Sequence, residues 1–377
     1  MSDTVGHFVN SYLGLTETFI YQYLSHHDRY DPFVCGTRSE NLDLFEFEPR
    51  EIFMDLPRWS PRFWTYGILA KFGIRDLSDT YYPRVIERRN PDILHAHFGP
   101  NGVGLAPYRT PERKLVTSFY GYDASRLVKD NDQMRADYQD LFERGDLFLV
   151  EGAAMQEKLL ELGCPESKTA IQRIAIDTSR ITPAYPDTDS PPRVLMVGRF
   201  VEKKGLPDGI KAFATAFAGT DAELRIVGGE VEYSRERLES IVDAAGVRGQ
   251  VTFTGYLDYD DYLAEIHDCS ILLAPSKRAS SGDSEGGAPT VLLEAQAAGK
   301  PVVATTHADI PYVVADDKTG LLARPGNVPE LATALKTLAS DPDRMTAFGQ
   351  AGVKRIQTRH DINTLASELE RNYDQIR

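Results

Sequence analysis

Short apolar runs, each followed by a longer stretch with helical periodicity, recur along the whole chain. Within each run the apolar residues are continuous rather than alternating, which is typical of strands buried on both faces of a parallel sheet. The alternation of such strands with helices indicates βαβ units. The expected fold class is therefore α/β, with doubly wound parallel sheets. The runs are VGHFV at 5–9, PFVCG at 32–36, DILHAHF at 92–98, KLVTSF at 114–119, DLFLVEG at 146–152, RVLMVGR at 193–199, LRIVGG at 224–229, VTFTG at 251–255, SILLAPS at 270–276 and KPVVAT at 300–305.

The segment ITPAYPDTDSPP, at 181–192, separates two halves of this pattern. It holds four prolines and has no apolar periodicity, so it is predicted to be a linker. We expect a Rossmann-like domain at 1–185, a second one at 186–361, and an amphipathic C-terminal helix at 362–377. Ligands of doubly wound sheets bind at the carboxyl ends of the strands, so the loops that follow the runs are the places to look for function.

The formal net charge of −14 at pH 7 argues against a surface that binds nucleic acid or anionic lipid as a whole. Three widely spaced cysteines predict neither a disulfide framework nor a zinc site. The first residues lack the basic and apolar parts of a signal peptide, and no apolar run reaches the roughly 18 residues that cross a bilayer. We therefore expect a cytoplasmic protein, with the inner face of the membrane as the alternative location.

Two cations follow the first strand of the second half, in the motif VGRFVEKKG. Arg199 can bond a phosphate through two N–H groups and Lys204 adds a point charge, so the pair suits a diphosphate. Lys203 is expected to face solvent. The alternative is that Arg199 and Lys204 are ordinary exposed cations, and the motif alone leaves both interpretations open.

Two glutamates bracket a loop of small residues in SEGGAPTVLLEAQAAG. The run after the loop is predicted to be a buried helix that starts near Ala288 and ends at Gly299. Backbone N–H groups at a helix start favour anions, and small residues let a ligand approach the backbone closely. Glu285 would accept hydrogen bonds from a polyol, and Glu294, in an apolar context, needs partners such as ribose hydroxyls. The alternative is a helix cap at Glu285 and a structural carboxylate at Glu294.

These motifs, together with DKTGLLARPGN, resemble those of glycosyltransferase family 4, whose members are retaining enzymes of GT-B fold that use nucleotide sugars. HAHFGPNG at 95–102 and SFYGYDAS at 118–125 resemble motifs of the family's first domain, and TETFI at 16–20 resembles members that act in exopolysaccharide and lipid-linked glycan assembly. The resemblance covers nearly the whole chain. It implies two Rossmann-like domains that face a cleft, with a final helix that crosses back to the first domain.

The resemblance also implies roles for single residues. The positions that correspond to catalytic residues of the family are Arg199, Lys204, Glu285 and Tyr120. The positions that correspond to donor-binding residues are Gly14, Gly228, Gly229, Gly286, Gly287, Ala288, Pro289, Thr290 and Glu294. His97, at the end of a strand that faces the cleft, is expected to bind the acceptor, with Asn10 and Asp123 as further candidates. A structural histidine is the alternative for His97.

Two features depart from the family's pattern. Eight residues separate Glu285 from Glu294, one more than is usual, so the loop is expected to bulge and the choice of sugar stays open. Tyr120 stands where many members have a histidine close to the sugar carbon that is attacked. A phenol with an ordinary pKa of about 10 does not accept a proton at neutral pH. Tyr120 is therefore expected only to shape the pocket, while the leaving phosphate takes the acceptor's proton.

The sequence thus predicts a retaining, hexosyltransferase-type enzyme that moves a sugar from a nucleoside diphosphate sugar, of UDP or GDP type, to an acceptor hydroxyl. The acceptor is expected to be a glycan, a lipid-linked molecule or a small molecule, and nucleic acid is not an expected partner. No metal and no cofactor are expected besides the nucleotide sugar, because cations and amides can stabilise the leaving diphosphate. The alternatives are a non-catalytic nucleotide-sugar-binding or partner subunit and a sugar-nucleotide epimerase of the same fold.

A basic and aromatic segment, LPRWSPRFWTYGILAKFGIR at 56–75, holds both tryptophans and four cations but no acid. One interpretation is an interfacial segment that touches anionic lipid at the membrane. The other is an ordinary helix that packs Trp59, Phe63 and Trp64 into the first domain.

Overall fold

The structure, a computed structural model, describes residues 2–14, 17–42, 45–56, 59, 61, 64 and 77–377. Most of the basic and aromatic segment at 56–75 lies outside the described residues, so contact with a membrane stays a prediction. The two tryptophans are described and are 84% (Trp59) and 60% (Trp64) exposed, which contradicts their packing into the first domain. None of the described helices combines the length and the apolar character needed to cross a bilayer.

Two compact units divide the chain, one formed by Met1–Ala175 with Ile362–Arg377 and the other by Ile176–Asp361. The division lies between Ala175 and Ile176, before the proline-rich segment. The sequence had suggested a division inside that segment. The reason is that Ile176 already belongs to the second unit, where it pairs with Asp361 in a β-bridge and its N–H donates to the carbonyl of His360 at 3.0 Å.

The first unit is built on a parallel sheet of seven strands in the order β5-β3-β1-β6-β7-β8-β9. Two further short strands, β2 and β4, pair with each other in a separate parallel sheet. The strands are β1 Asp3–Phe8, β2 Ser11–Tyr12, β3 Tyr30–Gly36, β4 Arg38–Ser39, β5 Arg50–Ile52, β6 Ile93–His97, β7 Lys114–Phe119, β8 Leu147–Val150 and β9 Thr169–Ile171. The helices are Thr18–Ser25, Leu77–Arg89, Gly99–Leu105, Arg126–Lys129, Asp132–Arg144, Ala153–Glu161 and the C-terminal helix Ile362–Ile376.

The second unit is built on a parallel sheet of six strands in the order β12-β11-β10-β13-β14-β15. The strands are β10 Arg193–Val197, β11 Glu223–Val227, β12 Val251–Gly255, β13 Ile271–Ala274, β14 Val302–Thr305 and β15 Gly320–Ala323. The helices are Leu206–Phe217, Arg235–Ala244, Tyr259–Asp268, Thr290–Ala297, Ile310–Val313, Val328–Ala339 and Pro342–Arg359. The predicted α/β class, with a Rossmann-like parallel sheet in each half, is confirmed.

Each of the ten apolar runs contains a strand, and most of these strands are buried on both faces. The strands that the pattern did not predict are short and lie at the edges of the sheets or in the separate pair: β2, β4, β5, β9 and β15. Edge strands are half exposed, so they need no continuous apolar run. This is why periodicity did not reveal them.

Both sheets reverse their direction of winding beside the first strand of the unit. The reversal lies between β1 and β6 in the first unit and between β10 and β13 in the second. At such a point the two following loops leave in opposite directions, which opens a crevice at the carboxyl ends of the strands. The loops after β1, β6, β10 and β13 are therefore the best-placed loops in the fold for holding a ligand.

The C-terminal helix Ile362–Ile376 completes the core of the first unit. Its apolar residues Ile362, Leu365, Leu369 and Tyr373 follow helical spacing and pack in one buried cluster that includes Val5 of β1 and Ile93 of β6. Burial of this stripe is the main stabilising contribution of the helix. The helix predicted at 362–377 is present and belongs to the first unit.

Gly228 sits at a close approach of two backbone segments, beside the reversal point of the second sheet. A Cβ atom on Gly228 would lie 2.0 Å from the carbonyl oxygen of Gly198, and its φ of +133° disfavours other residues. The loops after β10 and β11 can therefore touch only because residue 228 has no side chain.

Replacing Gly228 with alanine is expected to lower the free energy of unfolding by about 3 kcal/mol, because the new methyl group must push a backbone carbonyl aside. Gly255→Ala is the matched control. Gly255 is the last residue of a strand and also has a positive φ, of +81°, but no atom lies within 4 Å of its Cβ position. That variant should lose only about 1 kcal/mol of backbone strain. Urea unfolding of both variants measures the difference, and equal losses would contradict the steric account.

Candidate functional site

The loops after β10 and β13 are joined by an ion pair. Lys204 ends a short 3₁₀ turn, Glu202–Lys204, and its Nζ lies 2.9 Å from Oε1 of Glu285. The same carboxylate oxygen accepts a hydrogen bond of 3.0 Å from Ser276 Oγ at the end of β13. The aliphatic part of Lys204 lies over Gly198, whose missing side chain leaves room for it. Two of the predicted catalytic residues are therefore in direct contact.

Lys203 was expected to face solvent, and this expectation was wrong. Its side chain is buried, and its Nζ lies 3.2 Å from Asp283 Oδ1 and 3.1 Å from the carbonyl of Ser284. Lys203 and Lys204 are neighbours in the same 3₁₀ turn, but their side chains contact different residues of the loop that carries Glu285. The loop thus receives two positive charges, not one.

The surroundings of Glu285 keep it ionised. Burial by itself would raise the pKa of this carboxyl, but the ammonium groups of Lys204 and Lys203 and the hydrogen bonds from Lys204 and Ser276 hold the pKa below its usual value. His307, which follows β14, adds a contact from its Nε2 to Ser284 Oγ at 3.1 Å. The site therefore combines a fixed negative charge with nearby cations.

The loop after Glu285 presents unused backbone donors. In the part of the chain that the structure describes, the N–H groups of Gly286, Gly287 and Ala288 have no hydrogen-bond acceptor. The helix that follows begins at Thr290 with Pro289 before it, two residues later than predicted. These free N–H groups precede a helix N-terminus, where an anion or a hydroxyl oxygen is favoured.

Glu294 lies in the second turn of that helix and is buried. Its Oε2 accepts a hydrogen bond from the Tyr262 hydroxyl, which comes from helix Tyr259–Asp268. Burial raises the pKa of Glu294 to about 7, and the bond from Tyr262 only partly offsets this effect. Glu294 is therefore a carboxyl group with too few partners for its charged form, in contrast to Glu285.

The other donor-binding candidates of the second unit lie in the neighbouring loops. Arg199 follows β10 and is exposed, and its guanidinium has no partner among the described residues. Gly228 N–H donates to the carbonyl of Gly255, and a Cβ atom on Gly229 would lie 2.3 Å from the ring of Tyr256. Packing alone therefore explains why residues 228 and 229 are glycines, and their position beside a nucleoside stays a prediction.

In the first unit, Asn10 and Gly14 lie on the loops after β1. Asn10 is exposed, and its carbonyl and side-chain oxygens both accept from the Thr37 hydroxyl, with the side-chain contact at 3.1 Å. Gly14 N–H donates to the Glu17 carboxylate at 3.2 Å. Asn10 follows β1 and Gly14 follows β2, and the roles of both residues as ligands stay predictions.

Asp123 is buried, and both of its carboxylate oxygens are engaged. One accepts from the Tyr120 N–H and the other from the Gly99 N–H, each at 3.0 Å. These bonds tie the loop after β7 to the helix that follows β6. They give Asp123 a structural role, and binding of an acceptor by it stays a prediction.

His97 was expected to lie at the end of a strand that faces the cleft, with a structural histidine as the alternative, and its side chain is buried, with only 1% exposed. Its Nδ1 lies 2.7 Å from the Tyr120 hydroxyl and its Nε2 lies 2.9 Å from His7 Nδ1. This geometry favours the alternative interpretation of a hydrogen-bonded interior histidine. Burial raises the pKa of Tyr120 well above its usual value, so its phenol is neutral.

One group in the described part of the chain has the composition of a metal site. Nitrogen atoms of His7, His95 and His97 lie within 4.8 Å of one another, and all three side chains are buried. However, every one of these ring nitrogens already has a hydrogen-bond partner: His7 contacts His97 and His27, His97 contacts Tyr120, and His95 contacts Tyr373 and Ser118. The contacts are those of a hydrogen-bonded cluster, and the expectation of a metal-independent protein stays a prediction.

Sequence reasoning did not find several residues that shape the two sites. Ser276, Lys203 and His307 contact the Glu285 loop, and Tyr262 contacts Glu294. They come from four separate stretches of chain, so no local spacing could indicate them. His7 is different, because a histidine inside the first apolar run, VGHFV, was a visible signal for a buried polar group that needs partners.

The two glutamates are expected to respond oppositely when their charge is removed. The pKa of Glu294 is higher in the folded protein than its ordinary value of 4.5, so the folded state holds the proton more tightly. Stability must then fall as the pH rises from about 4.5 through 7. Glu294→Gln is expected to raise the free energy of unfolding at pH 8 by about 2 kcal/mol. Glu285→Gln should lower it, because the cations lose their partner. Chemical denaturation at pH 8 tests both variants, and a loss of stability in Glu294→Gln would contradict the assignment.

The family model for glycosyl transferases group 1 matches residues 178–355. The putative colanic acid biosynthesis glycosyltransferase WcaL of Escherichia coli K12 is 32% identical over 279 residues, which is 72% of this chain and 67% of that protein. The amylovoran biosynthesis glycosyltransferase AmsK of Erwinia amylovora is 30% identical over 292 residues, 74% of this chain and 70% of that protein.

Among solved structures, the fold is similar to that of Anabaena Alr3699/HepE in complex with UDP and glucose. The TM-score is 0.79, with 18% sequence identity and coverage of 99% of this chain and all of the other. A likeness at this identity shows the fold, which is GT-B. Together with the two polysaccharide-biosynthesis relatives, it leads to one conclusion: the chain belongs to the group 1 glycosyltransferases.

Proposed function

We propose that the protein is a retaining, metal-independent hexosyltransferase that moves a sugar from a nucleoside diphosphate sugar to an acceptor hydroxyl in polysaccharide assembly. The second unit binds the donor and the first unit binds the acceptor. A cytoplasmic location, where the donor would be supplied, is part of the same proposal.

The contact between Lys204 and Glu285 at the reversal point of the second sheet is the observation that carries this proposal. It places a cation, an ionised carboxylate and three unused backbone N–H groups on two adjacent loops. A sugar diphosphate needs these groups together, since its phosphates accept hydrogen bonds and charge while its sugar hydroxyls donate to a carboxylate. Arg199, exposed on the same loop as Lys204, adds a second cation for the diphosphate.

Charge explains how this arrangement would promote the reaction. Breaking the anomeric bond adds negative charge to the leaving phosphate. Positive groups that are already in place lower the free energy of that transition state, because they need not reorganise. Lys204 is held ready by Glu285, and it can turn from the carboxylate to the phosphate over a short path.

Glu294 supplies the complementary interaction with the nucleoside. Its buried carboxyl has the Tyr262 hydroxyl as donor and has its pKa raised to about 7 by burial. Two ribose hydroxyls would bring the further donors that stabilise the charged form. The proposal therefore places the ribose at Glu294 and the transferred sugar at Glu285, with the amides of Gly286 to Ala288 nearby.

The role of Lys204 is tested by Lys204→Ala. We expect turnover of the donor to fall about 100-fold, because one preplaced positive charge is removed from the leaving phosphate. The donor must first be identified by measuring the Tm of the protein with UDP, with GDP and with the common UDP-sugars and GDP-sugars. A ligand that binds the native state raises the Tm. Release of UDP or GDP then measures turnover.

Lys277→Ala is the matched control. The side chain of Lys277 forms an ion pair of 2.7 Å with Asp208 in the same unit and is partly buried like that of Lys204. Only the backbone N–H of Lys277 reaches the site, where it donates to the carbonyl of Lys203, and the substitution leaves that bond in place. Turnover in this control should stay within about twofold of the wild type. A folded Lys204→Ala protein with normal turnover would rule out the role. If the wild-type protein binds nucleotide sugars but does not cleave any of them to UDP or GDP, the non-catalytic alternative is favoured.

A further inference from the structure

The 3₁₀ turn Glu202–Lys204 contacts residues 277–289, which we call the Glu285 loop, through all three of its side chains. The order of the contacts follows the order of the residues in both segments. The contacts are Glu202 Oε2 with the N–H and the hydroxyl of Ser280 at 3.0 and 2.6 Å, Lys203 Nζ with Asp283 Oδ1 at 3.2 Å and with the Ser284 carbonyl at 3.1 Å, and Lys204 Nζ with Glu285 Oε1 at 2.9 Å. All of these residues belong to the second unit.

Lys203 is the most enclosed cation of this turn. Its side chain is 9% exposed and that of its partner Asp283 is 11% exposed, compared with 17% for Lys204. Water therefore competes little for the contacts of Lys203. Moving its ammonium group away would leave a buried carboxylate without a cation, which is costly. Lys203 is thus held in one position.

The bonds of Lys203 fix the backbone on both sides of Ser284. Its Nζ donates to the carbonyl oxygen of Ser284. It also holds the Asp283 carboxylate, whose Oδ1 accepts from the N–H of Ser284 at 2.9 Å. The peptide group between Ser284 and Glu285 is trans, so its carbonyl and its N–H point in opposite directions. Lys203 therefore sets the direction in which the Glu285 N–H points.

His307, which follows β14, receives that N–H on the opposite side. Its Nε2 lies 3.5 Å from the nitrogen of Glu285 and 3.1 Å from Ser284 Oγ. Burial lowers the pKa of His307, so the ring is neutral at neutral pH and its Nε2 can accept both hydrogen bonds. Lys203 and His307 thus hold the two ends of the one peptide group that precedes Glu285.

The residues after Glu285 depend on this peptide group for their orientation. The N–H groups of Gly286, Gly287 and Ala288 make no hydrogen bond within the described part of the chain, and the helix begins only at Thr290. Residues with such small side chains add little packing of their own. The direction of the three free amides is therefore decided by the clamped peptide group before them and by the helix after them.

We propose that Lys203, together with Asp283, is a positioning residue that determines which sugar the protein accepts. This inference rests on the donor binding of the proposed function, in which the transferred sugar lies at Glu285 and the amides after it. The ammonium group of Lys203 is engaged with the protein. It acts on the sugar through the clamped peptide group, which fixes the carboxylate and the amides that meet the sugar hydroxyls. Epimeric sugars differ in the direction of one hydroxyl, so a loop held in one conformation distinguishes them.

The two neighbouring lysines therefore have different tasks. In the proposed function Lys204 faces the diphosphate, together with Arg199, while Glu294 binds the ribose. Lys203 is paired with Asp283 and belongs to none of these nucleotide contacts. Its removal is expected to affect the sugar of the donor and to leave the binding of the nucleotide in place.

Lys203→Met tests this division, since it keeps most of the aliphatic chain and removes the ammonium group. Calorimetric titration of the full chain measures the Kd for free UDP and GDP and for three pairs of epimers: UDP-glucose with UDP-galactose, UDP-N-acetylglucosamine with UDP-N-acetylgalactosamine, and GDP-mannose with GDP-glucose. We expect the wild type to bind one member of a pair about tenfold more tightly than the other, the effect of one hydrogen bond. In Lys203→Met this ratio should fall below about twofold, while the Kd for the free nucleotide changes by less than about twofold.

A double variant separates positioning from folding. Lys203→Met alone leaves the Asp283 carboxylate buried without its cation, which is expected to lower the Tm. In Lys203→Met/Asp283→Asn no uncompensated charge remains, so the Tm should return towards that of the wild type. The epimer ratio should stay lost, because the Ser284 carbonyl still lacks its donor. Recovery of the ratio together with the Tm would assign the pair to stability alone and overturn the proposal.

Lys277→Met is the matched control. Lys277 lies on the same loop and its Nζ also pairs with an aspartate, Asp208 at 2.7 Å, but its side chain contacts neither Asp283 nor Ser284. Its epimer ratio should stay within about twofold of that of the wild type.

The outcomes distinguish this inference from the function on which it rests. An unchanged ratio in Lys203→Met, or a wild type that does not distinguish the epimers, overturns the positioning role and leaves the proposed transfer standing. A wild type that distinguishes the epimers but cleaves neither overturns the transfer, and the ratio in Lys203→Met still decides the positioning role. A wild type that binds no sugar nucleotide overturns both.

Discussion

The parallel hydrogen bonding of both sheets is the constraint on which the rest of the structure depends. Parallel neighbours require a crossover between consecutive strands, so all the strands of a unit end at the same edge. The winding reverses between β10 and β13, and therefore two loops that are distant in sequence, those of Lys204 and Glu285, come into contact at one point. The same reversal between β1 and β6 brings His7 against His97 in the first unit.

Electrostatics then gives similar residues different properties. Glu285 and Glu294 are both buried and lie nine positions apart, yet cations hold the pKa of one low while burial raises the pKa of the other to about 7. A fixed charge suits the proposed binding of a sugar diphosphate beside Glu285. A carboxyl group with too few donors suits a position that a polyol completes.

Tyr120 shows how a departure from a family pattern can be read once its contacts are known. By its sequence it looked like the loss of a base, since an isolated phenol cannot replace an imidazole at neutral pH. In the folded chain the Tyr120 hydroxyl is hydrogen-bonded to an imidazole, that of His97. His97 is hydrogen-bonded to His7, which is hydrogen-bonded to His27. An imidazole ring is therefore still in contact with this position, but burial lowers the pKa of His97 to about 3, so it is a weaker base than an exposed histidine.

Local residue patterns were sufficient to determine the strand runs, the two-part organisation and the place of the glutamate loop, because burial on both faces of a sheet requires continuous apolar residues at regular intervals. They could not determine partners. Tyr262 with Glu294, Ser276 with Glu285, and Glu370 with His27 join residues from different segments, and no spacing along the chain encodes such contacts. Only the tertiary structure decided that Lys203 is buried, that His97 points inward and that the pKa of one glutamate is lowered while that of the other is raised. The reason is that burial and charge pairing depend on distances through space.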